Sequence, residues 1–280
     1  MQLPTPEEQR IIIGEFSWAF DKFKPKVSEL FGVPINPKLK VMSLDEVLSG
    51  RDPKVLESPA RYNVFFLLGE ICDEKVELNP FSPIWKEDIG KNIKSYNNTC
   101  AHELLHSVFA YLLPGGADYS FNPAITALNE GFVEYTTHHL IPHWFPDEVK
   151  SLRRRVVDLC TRSGFRFEAN SEDKVLHLRY FEHSLGYRFY VQKFGSHTSL
   201  DTIKGYLEDD LATTPVNELT EKFNQFAQAE YEREFSTPFS VPVVDIKPIR
   251  KRESSNLLQL PYGDLNLFGR AKTRNLAGRL

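Results

Sequence analysis

Cysteine, long apolar runs and net charge are all scarce in this sequence of 280 residues. The three cysteines, Cys72, Cys100 and Cys160, have no CxxC spacing, so the sequence predicts neither a disulfide framework nor a cysteine zinc knuckle and favours a reducing compartment. No apolar run approaches the roughly 20 residues of a membrane-spanning helix, and we therefore expect no membrane partner. The formal net charge of −4 gives no global electrostatic reason to expect nucleic acid as a partner.

The two ends of the chain carry different signals. The first ten residues lack the basic region and the apolar stretch of a secretory signal peptide, so we expect a cytoplasmic protein. Residues 246–280 contain eight basic and two acidic side chains, which leaves the rest of the chain with about ten net negative charges. A solvated run of charge explains this basic extension, and contact with a nucleic acid or an acidic partner is the alternative. No sequence feature indicates an oligomeric state.

The N-terminal third combines one long helix with short strands. Residues 5–8 form a capping-box pattern with proline in the first turn, which predicts a helix that ends at Gly32. Stretches rich in β-forming residues predict strands at 39–42, 62–69 and 75–78, with a short capped helix at 43–48. These strands are expected to form a small mixed or antiparallel sheet.

From residue 98 onward, helical patterns predominate. Capping residues and glycine or proline stops predict helices at 99–113, 122–140, 147–162, 171–194, 198–208 and 214–235. Prolines and a basic run break this regularity after Phe235. The sequence thus predicts an α+β fold, with a helix and small sheet over residues 1–97, a mainly helical half over 98–235 and a basic C-terminal extension over 236–280.

One helix carries a metal-site pattern, since residues 102–106 read HELLH. Two imidazoles four residues apart lie on one helix face at a spacing that suits a single tetrahedral zinc ion. Glu103 then stands beside the metal, where a carboxylate can take the proton of an activated water. Alone, the pattern also fits a helix with two structurally satisfied histidines.

A catalytic zinc needs a third protein ligand. Phe109 and Leu112 stand where a metzincin would carry glycine and its last histidine, so that class is excluded. Residues 129–135 read NEGFVEY, with Glu130 and Glu134 four residues apart on one face of the next helix. Glu130 can bind the metal while Glu134 orients a ligand. A structural zinc is the alternative, although no fourth cysteine or histidine stands at a suitable spacing.

The two motifs together resemble the gluzincin clan, in which HExxH on one helix is completed by a glutamate on the next. More narrowly, LNEGFVEY over 128–135 is similar to the EGxAEY signature of the minor gluzincins, the peptidase MA-like proteins, although Phe132 and Val133 depart from it. The resemblance covers about residues 38–235. It implies a zincin-like domain with one Zn²⁺ between two helices, bound by His102, His106 and Glu130, and a Glu134 carboxylate that accepts a hydrogen bond from a ligand histidine.

Residues 179–195 look like the tyrosine-led helix of the same family, with Tyr180 in the leading position. His183, Tyr187 and Tyr190 continue a stripe from Tyr180 that could face the zinc, where a phenol would stabilise an oxyanion. The alternative is that these aromatic residues belong to the core. Three further histidines are interpreted as partners of a helix C-terminus rather than ligands: His138, His139 and His143.

These features predict a zinc metallopeptidase that hydrolyses peptides or proteins, with Glu103 as general base. The chain lacks the GxMEN loop of the aminopeptidase branch before His102, so endopeptidase activity is preferred, while hydrolysis of another amide stays open. If the strand at 75–78 lies at the sheet edge, it can pair with an extended peptide. The alternative function is a non-catalytic zinc-containing protein that binds a partner through its cleft or its basic extension.

Overall fold

A computed structural model describes residues 3–49, 58–67, 70–90, 95–113, 122–144, 185–195 and 198–235. These residues form a mixed α+β structure that is mostly helical and contains one three-stranded sheet, which confirms the predicted fold class at that level. The basic C-terminal extension and the helix predicted at 147–162 lie outside the described residues. Among the described helices, none is both long enough and apolar enough to cross a membrane.

The first helix, α1, spans Pro6–Phe31 and begins at the predicted capping box. The Thr5 hydroxyl accepts a hydrogen bond from the Glu8 amide, and the Glu8 carboxylate accepts one from the Thr5 amide, so two otherwise unsatisfied donors are paired. Gly32 ends the helix with φ of 65°, a left-handed conformation that suits glycine. One face of α1 is buried and enters the main core: Ile12, Phe16, Ala19, Phe20, Phe23, Val27 and Phe31.

The sheet consists of β1 (Lys38–Val41), β2 (Ala60–Leu67) and β3 (Glu70–Leu78), in the order β1-β3-β2. Strand β1 runs parallel to β3, and β2 runs antiparallel to it. The condition for pairing of residues 75–78 with an extended peptide, a position at the sheet edge, is therefore not met. Their backbone pairs with β1 on one side and with β2 on the other, because β1 occupies the side of β3 that β2 does not.

Two short helices follow strands of the sheet along the chain, α2 (Leu44–Ser49) after β1 and α3 (Pro83–Gly90) after β3. The sequence predicted α2 but not α3. Trp85 fixes α3 in place because its indole is fully buried, stacks on Tyr96 at 5.2 Å between ring centroids, and donates a hydrogen bond of 2.9 Å to the Asn79 carbonyl. A short helix held by one buried side chain has little periodic signal in the sequence.

The helical half contains five helical segments: α4 (Tyr96–Leu112), α5 (Pro123–Trp144), α6 (residues 185–194), α7 (Leu200–Tyr206) and α8 (Val216–Phe235). Helix α7 continues into a π-helical turn at Leu207–Leu211. The predicted end of α5 near residue 140 is wrong, since the helix continues past Pro142 to Trp144 although proline supplies no N–H to the helix.

Helix α4 lies at the centre of the molecule. It packs against α1, α5 and the strand β2, and almost every residue from Tyr96 to Ala110 is buried. The main core cluster extends from Ile12 on α1 to Ala227 on α8 and includes five α4 residues between Leu104 and Leu113. A helix buried on all sides places its polar side chains inside the protein, where they need partners.

Candidate metal centre

The HELLH residues lie inside this central helix rather than on the protein surface. His102 and Glu103 are each 7% exposed, and His106 is 1% exposed. Burying imidazole and carboxylate groups is unfavourable unless other polar groups or a metal ion compensate for the lost hydration. The neighbouring Leu104, Leu105 and Val108 supply the apolar packing that holds α4 in the core.

Helix α5 brings a second set of buried polar residues against α4. Asn129 is fully buried, Glu130 is 6% exposed and Glu134 is 1% exposed. The interval of four residues places Glu130 and Glu134 one above the other on the same helix face. Residues of two motifs that are far apart in the sequence therefore meet in one small volume between α4 and α5.

Three donor atoms converge in that volume. The Nε2 atoms of His102 and His106 are 3.2 Å apart, and Glu130 Oε2 lies 3.6 Å from the first and 3.9 Å from the second. In the plane of the three atoms, the point equidistant from them lies about 2.1 Å from each, close to the usual length of zinc–nitrogen and zinc–oxygen bonds. His102, His106 and Glu130 thus form a buried group that can hold a metal ion.

The far side of each imidazole meets an acceptor. Asn129 Oδ1 accepts a hydrogen bond of 3.0 Å from His106 Nδ1, and Glu134 Oε1 lies 3.3 Å from His102 Nδ1. Acceptors at both Nδ1 atoms favour the tautomer that carries its proton there, which leaves the Nε2 lone pairs for a cation. Two lone pairs and a carboxylate oxygen that point at one another fit a bound metal ion.

The sheet also supports the centre through Tyr62 on β2. Its ring lies nearly parallel to the His106 ring, with 6.1 Å between centroids and an angle of 20°. The Tyr62 hydroxyl donates a hydrogen bond of 2.9 Å to the buried carboxylate of Glu74. His106 is therefore held by Asn129 at its edge and by a fixed aromatic face beside it.

A close helix crossing positions α5. A Cβ on Gly131 would stand 2.0 Å from the carbonyl carbon of Gly186, and a Cβ on Gly186 would stand 1.8 Å from the Ala127 carbonyl oxygen. Both distances are far below any real contact, so this approach of α5 to α6 requires glycine on both helices. The glycine that follows Glu130 therefore has a packing role in this structure.

The stripe predicted on the tyrosine-led helix is only partly described. Tyr180 and His183 lie outside the described residues. Tyr190 is fully buried among aromatic side chains, and burial raises its pKa well above the ordinary value, as expected of a core residue. Tyr187 lies against His138 on α5, with ring centroids 5.2 Å apart at an angle of 74°.

Three residues beside the centre were given no role in it by the sequence: Asn129, Tyr62 and His138, the last of which was interpreted as a partner of a helix C-terminus. Asn129 directly precedes Glu130, so its place in the motif could have indicated that it lies near the centre. Tyr62 and His138 meet the centre through pairings of separate elements, which local patterns do not encode. His138 Nε2 lies 3.8 Å from Glu134 Oε2, whereas the side chains of His139 and His143 lie outside the description.

Cys100, two residues before His102, is a buried thiol. Burial, with a smaller contribution from the negative charge of Glu103, raises the pKa of Cys100 well above its ordinary value. The thiol therefore stays protonated at neutral pH and acts as a small apolar residue in the core.

No family model matches the chain, and no curated protein or solved structure matches it. The assignment of the centre consequently depends on its own geometry.

Proposed function

We propose that this chain is a zinc-dependent metallopeptidase with a zincin-like fold, related to the minor gluzincins. One observation carries the proposal: two imidazole nitrogens and one carboxylate oxygen, all buried, stand 3.2–3.9 Å apart with their outer atoms facing acceptors. A site of two histidines and one glutamate leaves the fourth position of a tetrahedral ion open, which distinguishes catalytic zinc sites from closed structural ones.

Zinc is the proposed ion because imidazole and carboxylate ligands suit it and the spacing matches its bond lengths. A zinc ion bound here would supply a Lewis acid that lowers the pKa of water and polarises a carbonyl group. Every other step belongs to residues of this chain.

Glu103 is proposed as the general base. It follows His102 directly on α4 and is 7% exposed, so its carboxylate lies in the same buried helix segment as the two imidazoles of the centre. In the proposed reaction, Glu103 accepts a proton from the attacking water and then donates it to the departing amine. The substrate class is a peptide or protein, with endopeptidase cleavage preferred.

Metal content tests the proposal before any substrate is known. Inductively coupled plasma mass spectrometry of the purified wild-type protein should give one zinc per chain, and Glu130→Ala should lose it or bind it at least tenfold more weakly. Glu77→Ala is the matched control, because it also removes a buried glutamate but lies on β3. Wild-type protein that holds no stoichiometric metal after zinc addition would refute the enzymatic proposal.

A peptide-library digest follows if the metal is present. Cleavage by the wild-type protein that stops with a chelator and returns with zinc would support a peptidase. Zinc binding without cleavage of any peptide or model amide would favour the non-catalytic binding protein instead.

A further inference from the structure

Glu134 is shared between two imidazoles. Its Oε1 faces His102 Nδ1 at 3.3 Å, and its Oε2 faces His138 Nε2 at 3.8 Å. Its side chain is 1% exposed and that of His138 is 8% exposed, so the whole array lies away from water. Glu130, Glu134 and His138 follow one another at intervals of four residues and occupy a single face of α5.

A carboxylate orients a ligand histidine only if its own orientation is fixed. Glu134 has several rotatable bonds, and a rotation that moved Oε1 from His102 would remove the acceptor that favours the Nδ1 proton. His138 Nε2 lies 3.8 Å from the opposite oxygen, which is longer than a hydrogen bond, so the carboxylate stands between two imidazole edges and an electrostatic contact with His138 opposes its rotation. In a buried site these charge–dipole contacts are stronger than on the surface, because little water screens them.

His138 in turn is fixed by α6. The Tyr187 ring packs edge-on against the His138 ring, and α6 is pressed to α5 at the Gly131–Gly186 crossing, where Gly186 directly precedes Tyr187 in the chain. The sequence of contacts therefore runs from α6 through Tyr187, His138 and Glu134 to His102.

We propose that His138 is a positioning residue of the metal centre, which acts on the ligand His102 through Glu134. This inference rests on the metal centre of the proposed function. It assigns a role to a histidine outside both motifs and connects the α5–α6 packing to metal affinity.

A double-mutant cycle on zinc affinity tests the proposal. His138→Phe keeps an aromatic ring against Tyr187 but removes the polar edge that faces Glu134. We expect it to raise the zinc Kd about tenfold, at the lower end of the 10- to 100-fold range typical of outer residues of metal sites. In a Glu134→Gln background the same substitution should change Kd by less than about twofold, because the connection is already broken.

Cobalt(II) substitution provides a second readout. The visible spectrum of the cobalt protein should shift in His138→Phe, and His138→Gln, which keeps a polar donor, should restore most of the zinc affinity. Thr137→Val is the matched control: Thr137 is fully buried in the same turn of α5, and its zinc Kd should stay within about twofold of wild type. If His138→Phe does not fold, the cycle is measured with His138→Gln, for which we expect about a threefold change in Kd that disappears with Glu134→Gln.

The outcomes separate the two proposals. If the wild-type protein binds no metal, the proposed function fails and this inference fails with it. If the wild-type protein and Thr137→Val bind zinc while the His138 variant binds equally well, or loses the same affinity in both backgrounds, His138 has no role through Glu134 and the proposed function stands.

Discussion

Two groups of buried glutamates in this protein are compensated in different ways. On the sheet, Glu77 receives hydrogen bonds from Asn63 at 2.7 Å and from Arg61 at 2.8 Å, and the Lys40 ammonium lies 3.3 Å away. Between α4 and α5, Glu130 and Glu134 face imidazole rings instead. Both groups are buried, and among the residues that the structure describes, permanent cations face only Glu77 of these three glutamates.

The difference shows how a structural acid can be told from a ligand. Arg and Lys neutralise a carboxylate at all physiological pH values, so Glu77 needs nothing from solution. Neutral imidazoles add lone pairs to the carboxylate oxygens that they surround, and such a group gains from a bound metal ion. Glu77 therefore contributes to stability, whereas Glu130 belongs to a buried group that can hold a metal ion.

The largest expected effect is on turnover. Glu103→Gln removes the base but leaves the three donor atoms, so peptide cleavage should fall by about 10²- to 10⁴-fold while zinc content stays at one per chain. Initial rates with a peptide identified by library digestion, together with metal analysis, would measure both. Full activity in the variant would exclude Glu103 as the general base.

The α5–α6 crossing should matter next. Gly131→Ala places a methyl group 2.0 Å from the Gly186 backbone, and backbone cannot give way as a flexible side chain can. We expect the free energy of unfolding to fall by about 3 kcal/mol, the upper part of the usual range for overpacking. Urea denaturation of the metal-free protein measures the loss. Gly14→Ala on α1 is the control, since a Cβ there meets nothing within 4 Å.

A pair of glutamate substitutions compares the two groups directly. Glu77→Ala should lower the free energy of unfolding by about 2 kcal/mol, less than for a fully buried ion pair because Lys40 and Arg61 reach water. Zinc content should not change. Glu130→Ala should do the opposite, with loss of zinc and little change in the stability of the metal-free protein. Equal zinc loss in both variants would remove the distinction between the groups.

The smallest effect concerns acid stability at the start of α1. The hydrogen bond from Lys86, followed by that from the Thr5 amide, lowers the pKa of Glu8 from 4.5 to about 2. A folded-state pKa below the unfolded value means that this contact stabilises the protein above about pH 4.5 and that its contribution is lost as the pH falls towards 2. Glu8→Gln should therefore lose less stability than wild type across this interval.

Thermal unfolding between pH 6 and pH 2 would measure the difference. Glu7→Gln, which alters an exposed carboxylate in the same turn, should follow the wild-type profile more closely. Identical profiles for wild type and Glu8→Gln would show that the contact with Lys86 has no effect on stability.

Local chemistry explains which parts of the fold could be predicted. The capping box at Thr5 and the helix end at Gly32 depend on residues within one turn, and the structure shows both. The central position of β3 depends on pairing with β1 more than 30 residues earlier in the chain, and the sequence pattern contains no trace of that choice. Helix α3 was missed because its position depends on Trp85 in the core rather than on a repeated apolar pattern.

The same division applies to the candidate site. The interval of four residues between His102 and His106 follows from the helix itself, so the sequence could identify that pair. The contacts of Tyr62 with His106 and of His138 with Glu134 depend on how separate elements pack, and each residue read alone fits an ordinary role. His138 in particular was interpreted as a partner of a helix end.

The single face of α5 that carries Glu130, Glu134 and His138 also limits how this protein can diverge. Each inserted or deleted residue turns the rest of a helix by about 100°, so one such change between positions 130 and 138 would separate ligand from supporting residues. Positions in that interval that contact neither the centre nor the α5–α6 crossing can be substituted, but the length of the interval cannot change. Distant relatives should therefore keep these nine residues free of gaps, while the connection between α4 and α5 varies in length.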